Sequence, residues 1–203
     1  MTISRVVADT DGLYATISTA SQPTALMRHN IDRLGRSLAR AVHSTPDVAD
    51  AGDVLCVIIL RGGALLYPSF AAEFGSADFC MLGLRRDGAE ISCHYRTTVP
   101  RPAYDLVLYV DCIAGTGGTV LAAHDAITAV TDTTQAIAAV ICSATPATRV
   151  LKDANIGLIG FSLDEIESDG LVKPDLGKLD AGDLFTGTGV EPLLDHLAPS
   201  TRA

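Results

Sequence analysis

Apolar and polar positions divide the chain into stretches of different period. Leu26, Ile31, Leu34, Leu38 and Val42 recur near one face at helical spacing, with Arg28, Arg33, Arg36 and Arg40 around the rest. This predicts an amphipathic helix opening at Ser21-Gln22-Pro23. Other stretches are almost unbroken apolar runs: 53–60, 78–84, 106–113, 135–142 and 156–161. Such runs are the pattern of strands buried on both faces of a parallel sheet. Helical segments fall between them, at about 65–74, from Val120 to about Val130, and from Thr145-Pro146 to about Asp153. Alternation of this kind predicts an α/β fold, a parallel sheet flanked by helices. Residues 1–20 alternate loosely and fit an arm or an edge strand. Residues 87–104, with Glu90, His94, Tyr95, Arg96 and Arg101, read as a polar excursion. The tail from Asp164 is acidic and Gly-rich, and it breaks at Asp169-Gly170, Pro174-Asp175 and Leu176-Gly177. Long ordered loops in compact domains are usually functional.

Composition narrows the class. A chain of 203 residues suits one domain, or one core with an appended lobe. It is 48% apolar and lacks Trp, so Ala, Val, Ile and Leu must build the core. The net charge of -9 argues against a nucleic-acid binder held by phosphates. It leaves open an anionic small substrate, which needs only local positive charge. Cys56, Cys80, Cys93, Cys112 and Cys142 are odd in number and form no C-x-x-C, which predicts reduced thiols in a cytoplasmic protein. Residues 1–30 lack a basic start followed by an apolar run, and no stretch approaches membrane-spanning length, so a soluble protein without a membrane partner is expected.

The candidate chemistry centres on Leu106 to Val120. An apolar strand ends on Asp111, turns through Cys112-Ile113-Ala114-Gly115-Thr116-Gly117-Gly118-Thr119 and enters a helix. Strand, small-residue turn and helix together present backbone N–H groups to an anion, and the glycines let a phosphate approach closely. Asp111 sits at the carboxyl end of its strand, where open α/β sheets place ligands. A dinucleotide site would want a third glycine where Val120 stands, and an acid after the following strand, where 136–142 offers none. A nucleoside-triphosphate loop would need Gly-Lys followed by Ser or Thr. A tight turn without a ligand is the bland alternative. Arg61-Gly62-Gly63 closes the strand 53–60 in similar fashion. An Arg fork suits planar phosphate contacts, although its stem can also merely cover a sheet end.

Val110-Asp111 through Gly117-Gly118-Thr119 resembles the 5-phosphoribosyl-1-pyrophosphate (PRPP) loop of uracil phosphoribosyltransferases, which reads Asp-Pro-Met-Leu-Ala-Thr-Gly-Gly-Ser. Cys112 replaces the proline, Ile113 the Met, Ala114 the Leu, Gly115 the Ala and Thr119 the Ser. Two further motifs follow the family order. Ile59-Leu60-Arg61-Gly62-Gly63 differs from Ile-Leu-Arg-Ala-Gly only at Gly62, and Pro174 to Thr188 is similar to Pro-Gly-Leu-Gly-Asp-Ala-Gly-Asp with its trailing Gly-Thr. In that last motif Asp175 replaces a glycine and Lys178-Leu179 is inserted.

The resemblance implies a type I phosphoribosyltransferase fold. It places the core at about 50–162 and a hood in 1–50 and 163–203, all in a single domain. It implies transfer of the phosphoribosyl group from PRPP to a nucleobase, uracil first, giving UMP and pyrophosphate. It assigns catalytic roles to Asp111, Arg61 and Arg86. It assigns PRPP contacts to Arg61, Gly62, Arg86, Asp111, Ala114, Gly115, Thr116, Gly117, Gly118, Thr119 and Asp183. Asp180, Ala181 and Gly182 would contact the base, and Mg²⁺ would be held mainly through PRPP. Residues 87–104 would form a hairpin that closes over the site, and the chain would assemble as a homodimer or larger. Cys112 in place of proline is expected to loosen its loop. The Lys178-Leu179 insertion keeps another pyrimidine, or a small aromatic acid or amide, open as acceptor. A non-catalytic PRPP-sensing regulator is the reading from a different class. An RNA-binding relative is disfavoured by the acidic charge, and an unrelated Rossmann-like protein by the missing glycine and acid.

Overall fold

A computed structural model describes residues 4–8, 12–13, 24–87 and 90–164. The apolar runs form the sheet that their pattern predicts. β1 (Ser4–Val6), β2 (Val54–Leu60), β3 (Asp78–Asp87), β4 (Glu90–Arg96), β5 (Ala103–Ala114), β6 (Asp132–Ala144) and β7 (Ile156–Gly160) lie in the order β1-β7-β6-β5-β2-β3-β4. All neighbours along this path are parallel except β3 and β4. A short β8 (Ser162–Asp164) pairs with β6 beyond the end of β7, so the strand expected to close the core is followed by one more.

The helices are α1 (Thr24–His43), α2 (Pro46–Ala49), α3 (Tyr67–Glu73), α4 (Gly118–Thr128) and α5 (Thr145–Asp153), with a 3₁₀ turn at Gly62–Leu65. They cover both faces of the sheet. Side chains alternate along a strand, so β2 sends Cys56 and Ile58 to one face and Leu55, Val57 and Ile59 to the other. The first face packs against Ile31, Leu34, Leu38 and Val42 of α1 and Phe70 of α3. The second packs against Val120, Ala123 and Ile127 of α4 and Ala147 and Leu151 of α5. A central strand with both faces covered has no solvated position, which is why β2 reads Val-Leu-Cys-Val-Ile-Ile-Leu without a polar break. The buried stripe of α1 begins at Asn30 and Ile31, while Leu26, expected on that face, is exposed.

β3 is longer than its apolar run. It continues through Arg85-Arg86-Asp87 and pairs antiparallel with β4, Arg86 opposite Ile91. Most of β4 is exposed, so this edge tolerates polar residues that hide it from a hydrophobicity pattern. The polar excursion is therefore largely strand. Its Arg96 donates from Nη1 to the Ala126 carbonyl of α4 at 2.9 Å. Arg101 lies at the amino end of the strands, where it bonds Asp53 and Asp78 at 2.7 Å each. Tyr104 Oη also donates to Asp78 at 2.9 Å. That network clamps the ends of β2, β3 and β5 on the side of the sheet away from Asp111.

Candidate active site at the carboxyl ends of β2 and β5

β2 and β5 are adjacent and parallel, with Ile58 opposite Val110. Their carboxyl ends therefore deliver Arg61-Gly62-Gly63 and Asp111 side by side. Arg61 is exposed at the start of the 3₁₀ turn, and the peptide joining it to Leu60 is cis. Gly62 and Gly63 are buried. A Cβ on residue 63 would overlap the carbonyl oxygen of Val110, so only glycine lets the turn sit this close to β5.

Asp111 is partly buried, and its Oδ1 accepts the Cys112 N–H at 2.7 Å. Cys112 is fully buried, and its Sγ donates to the Gly62 carbonyl at 3.2 Å. The expected loosening of this loop is thus not what the structure contains. The residue in place of the family's proline links the loop to the neighbouring one, because a thiol and an N–H supply donors that proline lacks.

Gly115 to Thr119 then turn into α4. Gly117 is the N-cap, at φ +81, a conformation that glycine adopts without strain, and its Cα packs near Ala147 of α5. The glycine cap brings no side-chain acceptor of its own, Thr116 Oγ1 accepts only the Gly118 N–H, at 3.4 Å, and the first turn of α4 holds no acid. The orphan N–H groups and the positive end of the helix dipole therefore face a space that suits an anion. Ile113, Ala114, Gly115, Thr116, Gly117, Thr119 and Val120 line a cavity of about 220 Å³ there. That is smaller than the roughly 300–1,000 Å³ of sites that enclose a drug-sized ligand, and it fits one anionic group of a larger one. A wider depression of about 810 Å³ lies at the opposite end of the strands, lined by Asp47, Asp50, Asp105 and Asn155. Its Asp105 carboxylate already accepts the N–H groups of Gly52 and Asp53, at 3.0 and 2.9 Å. The wider depression therefore lies away from Asp111, Arg61 and the α4 N-terminus.

Arg86 stands in the part of β3 that runs past the end of β2, since Leu60 pairs with Gly83. Its backbone is thus at the same end of the sheet as Arg61 and Asp111. Asp180, Ala181, Gly182 and Asp183 lie outside the described residues. His94 of the polar excursion is exposed on β4, with Nε2 3.0 Å from Ser92 Oγ. The structure adds two relationships that motifs did not signal. One is the Cys112–Gly62 bond. The other is beneath α4, where Tyr109 Oη and His124 Nδ1 are 3.0 Å apart. Burial lowers the His124 pKa, partly opposed by the Asp125 charge.

Known proteins share the fold. The AQ2163 structure from Aquifex aeolicus superposes with a TM-score of 0.79 at 16% identity, covering 93% of this chain and 100% of that one. Adenine phosphoribosyltransferase from Leishmania tarentolae gives 0.54 at 14% identity, covering 80% and 91%. The same enzyme from Leishmania donovani gives 0.54 at 16% identity, covering 92% and 96%. The fold is that of the type I phosphoribosyltransferases. No curated protein matches the sequence. The uracil phosphoribosyltransferase family model matches residues 37–188, a span holding both glycine turns and the acidic tail motif, and the chain belongs to that family.

Proposed function

We propose that the chain transfers the 5-phosphoribosyl group of PRPP to a nucleobase nitrogen, uracil first, releasing pyrophosphate and forming UMP. The observation that carries this is the convergence of three features at one sheet end. These are the Arg61-Gly62-Gly63 turn, the Asp111 carboxylate, and the acid-free N-terminus of α4 with its small cavity.

The nitrogen bonds to C1 as the C1–O bond breaks, the bonding pair leaves with pyrophosphate, and the proton of the base N–H is lost to water or the departing pyrophosphate. Positive charge develops on the ribosyl ring and negative charge on the leaving group. Thr116, Gly117, Gly118 and Thr119, with Ala114 and Gly115 shaping the turn, receive the 5-phosphate at the helix N-terminus. Asp111 accepts the ribose hydroxyls and favours the cationic ring. Arg61, Gly62 and Arg86 face the pyrophosphate, where donors aimed at developing charge act most strongly. Mg²⁺ would be held mainly through PRPP oxygens and water and would supply charge neutralisation at the leaving pyrophosphate. Asp180 to Asp183 are assigned to the base pocket and the edge of the PRPP site. No covalent nucleophile is required. Assembly as a homodimer or larger, a cytoplasmic location, and one domain with a terminal hood complete the proposal.

A second reading keeps this chemistry and changes the acceptor to another pyrimidine or a small aromatic acid or amide. The Lys178-Leu179 insertion favours it, because it falls in the motif assigned to base recognition. Pyrophosphate release from PRPP and Mg²⁺, with uracil against a panel of such acceptors, separates the two. Release with uracil supports the first reading, and release only with another acceptor supports the second. PRPP binding without release from any acceptor would point to a regulator. Absence of PRPP binding would remove the whole assignment.

A further inference from the structure

We propose that Cys112 is a positioning residue, which locks the pyrophosphate-side turn to the ribose-side carboxylate. The inference rests on the phosphoribosyltransferase reading above and deepens it. Residue 112 makes two bonds in different directions. Its N–H donates to Asp111 Oδ1 at 2.7 Å, and its Sγ donates to the Gly62 carbonyl, 50 positions earlier, at 3.2 Å. The side chain and Gly62 are both buried, so water does not compete for the thiol bond. From below, Cys142 Sγ approaches the Cys112 carbonyl at 3.9 Å, and beside it the Val110 carbonyl presses on Gly63. The turn is therefore held on one side by contact and on the other by the thiol.

The geometry gives the thiol a consequence beyond packing. The Gly62–Gly63 peptide is trans. In a trans peptide the C=O and N–H point in opposite directions. Holding the Gly62 oxygen toward Cys112 thus sets the direction of the Gly63 N–H, a backbone donor in the turn assigned to pyrophosphate. The same residue orients the carboxylate assigned to the ribose. Proline at this position supplies neither donor, alanine and valine supply the N–H alone, and serine supplies both.

Cys112→Ala, Cys112→Val and Cys112→Ser test this in the full chain. PRPP–Mg²⁺ binding is read by calorimetry and steady-state constants by pyrophosphate release. Valine fills the thiol's space, so it separates the lost donor from any cavity that alanine leaves. The alanine and valine variants should raise the PRPP KM about fivefold, the worth of one ordinary hydrogen bond, with the acceptor KM unchanged. The serine variant should stay within about twofold of wild type, because it retains the donor. A valine variant with wild-type PRPP affinity would overturn the inference. So would a serine variant as impaired as valine, or equal changes in the PRPP and acceptor constants. Wild-type protein that fails to bind PRPP would instead overturn the phosphoribosyltransferase reading, and this inference with it.

Discussion

Tyr109 and His124 hold α4 to the middle of the sheet. Their hydroxyl and Nδ1 are 3.0 Å apart, and their rings meet edge to face at 5.7 Å. Tyr109 is fully buried in β5, only two residues before Asp111, and α4 is the helix whose N-terminus forms the anion cavity. Tyr109→Phe removes the hydroxyl and leaves the ring, so stability should fall by about 1 kcal/mol. The pair also gives a pH signature. Burial holds the His124 pKa below its ordinary 6.5. As pH falls through that ordinary value the unfolded chain takes up the proton first, so folded-state stability is lost from there down to the lowered value. Melting curves at pH 7.5 and 5.0 should show a larger acid loss for wild type than for His124→Gln. Equal losses would mean that His124 does not contribute.

Gly63 is the tightest point between the two loops. An alanine methyl there would meet the Val110 carbonyl oxygen, backbone that cannot rotate away. Gly63→Ala should lose about 1–3 kcal/mol, the range for overpacking a fitted interior, and should weaken PRPP binding by displacing the turn. Gly75→Ala is the control, since a Cβ there meets nothing within 4 Å. Urea midpoints for the two variants decide the matter, and a Gly63→Ala midpoint equal to that of Gly75→Ala would exclude the close approach.

These loops show where the sequence is informative. β2, β5 and β6 were legible because burial on two faces leaves continuous apolar runs. α1 and α5 were legible through helical spacing and a proline start. The end of β3 was not, because Arg85-Arg86-Asp87 pair with an exposed edge strand, where polar side chains carry no strand signal. The glycine turns were readable as tight turns because backbone freedom is written in the residue type itself. The bond between Cys112 and Gly62 was not, because it depends on two strand ends that only the sheet order brings together. The same limit made proline replaced by cysteine look like a loss of stiffness.

Asp111 separates binding from chemistry. Asp111→Asn keeps an oxygen for the Cys112 N–H, so the loop should hold its shape and the melting temperature should stay within about 2 °C. The lost charge no longer favours a cationic ribosyl ring. The turnover rate should therefore fall about 100-fold, comparable to removing one preorganised electrostatic group from an active site. Pyrophosphate release measured beside PRPP calorimetry reads both quantities. An Asn variant with unchanged turnover would remove Asp111 from its catalytic role.

Ser143 gives a prediction of the opposite sign. It is fully buried near the end of β6, directly across from Ala114 at the end of β5, and its hydroxyl has no hydrogen-bond partner among the described residues. Burying an unpartnered hydroxyl is unfavourable, whereas removing it leaves no orphaned partner behind. Ser143→Ala should therefore match or exceed wild type in stability, by up to about 1 kcal/mol, unlike most core substitutions. A loss of more than about 1 kcal/mol would reveal a partner for the hydroxyl outside the described residues. Thermal melts with and without PRPP–Mg²⁺ complete the test. An alanine variant that is stable alone but gains less from the ligand than wild type would place the partner on the ligand itself.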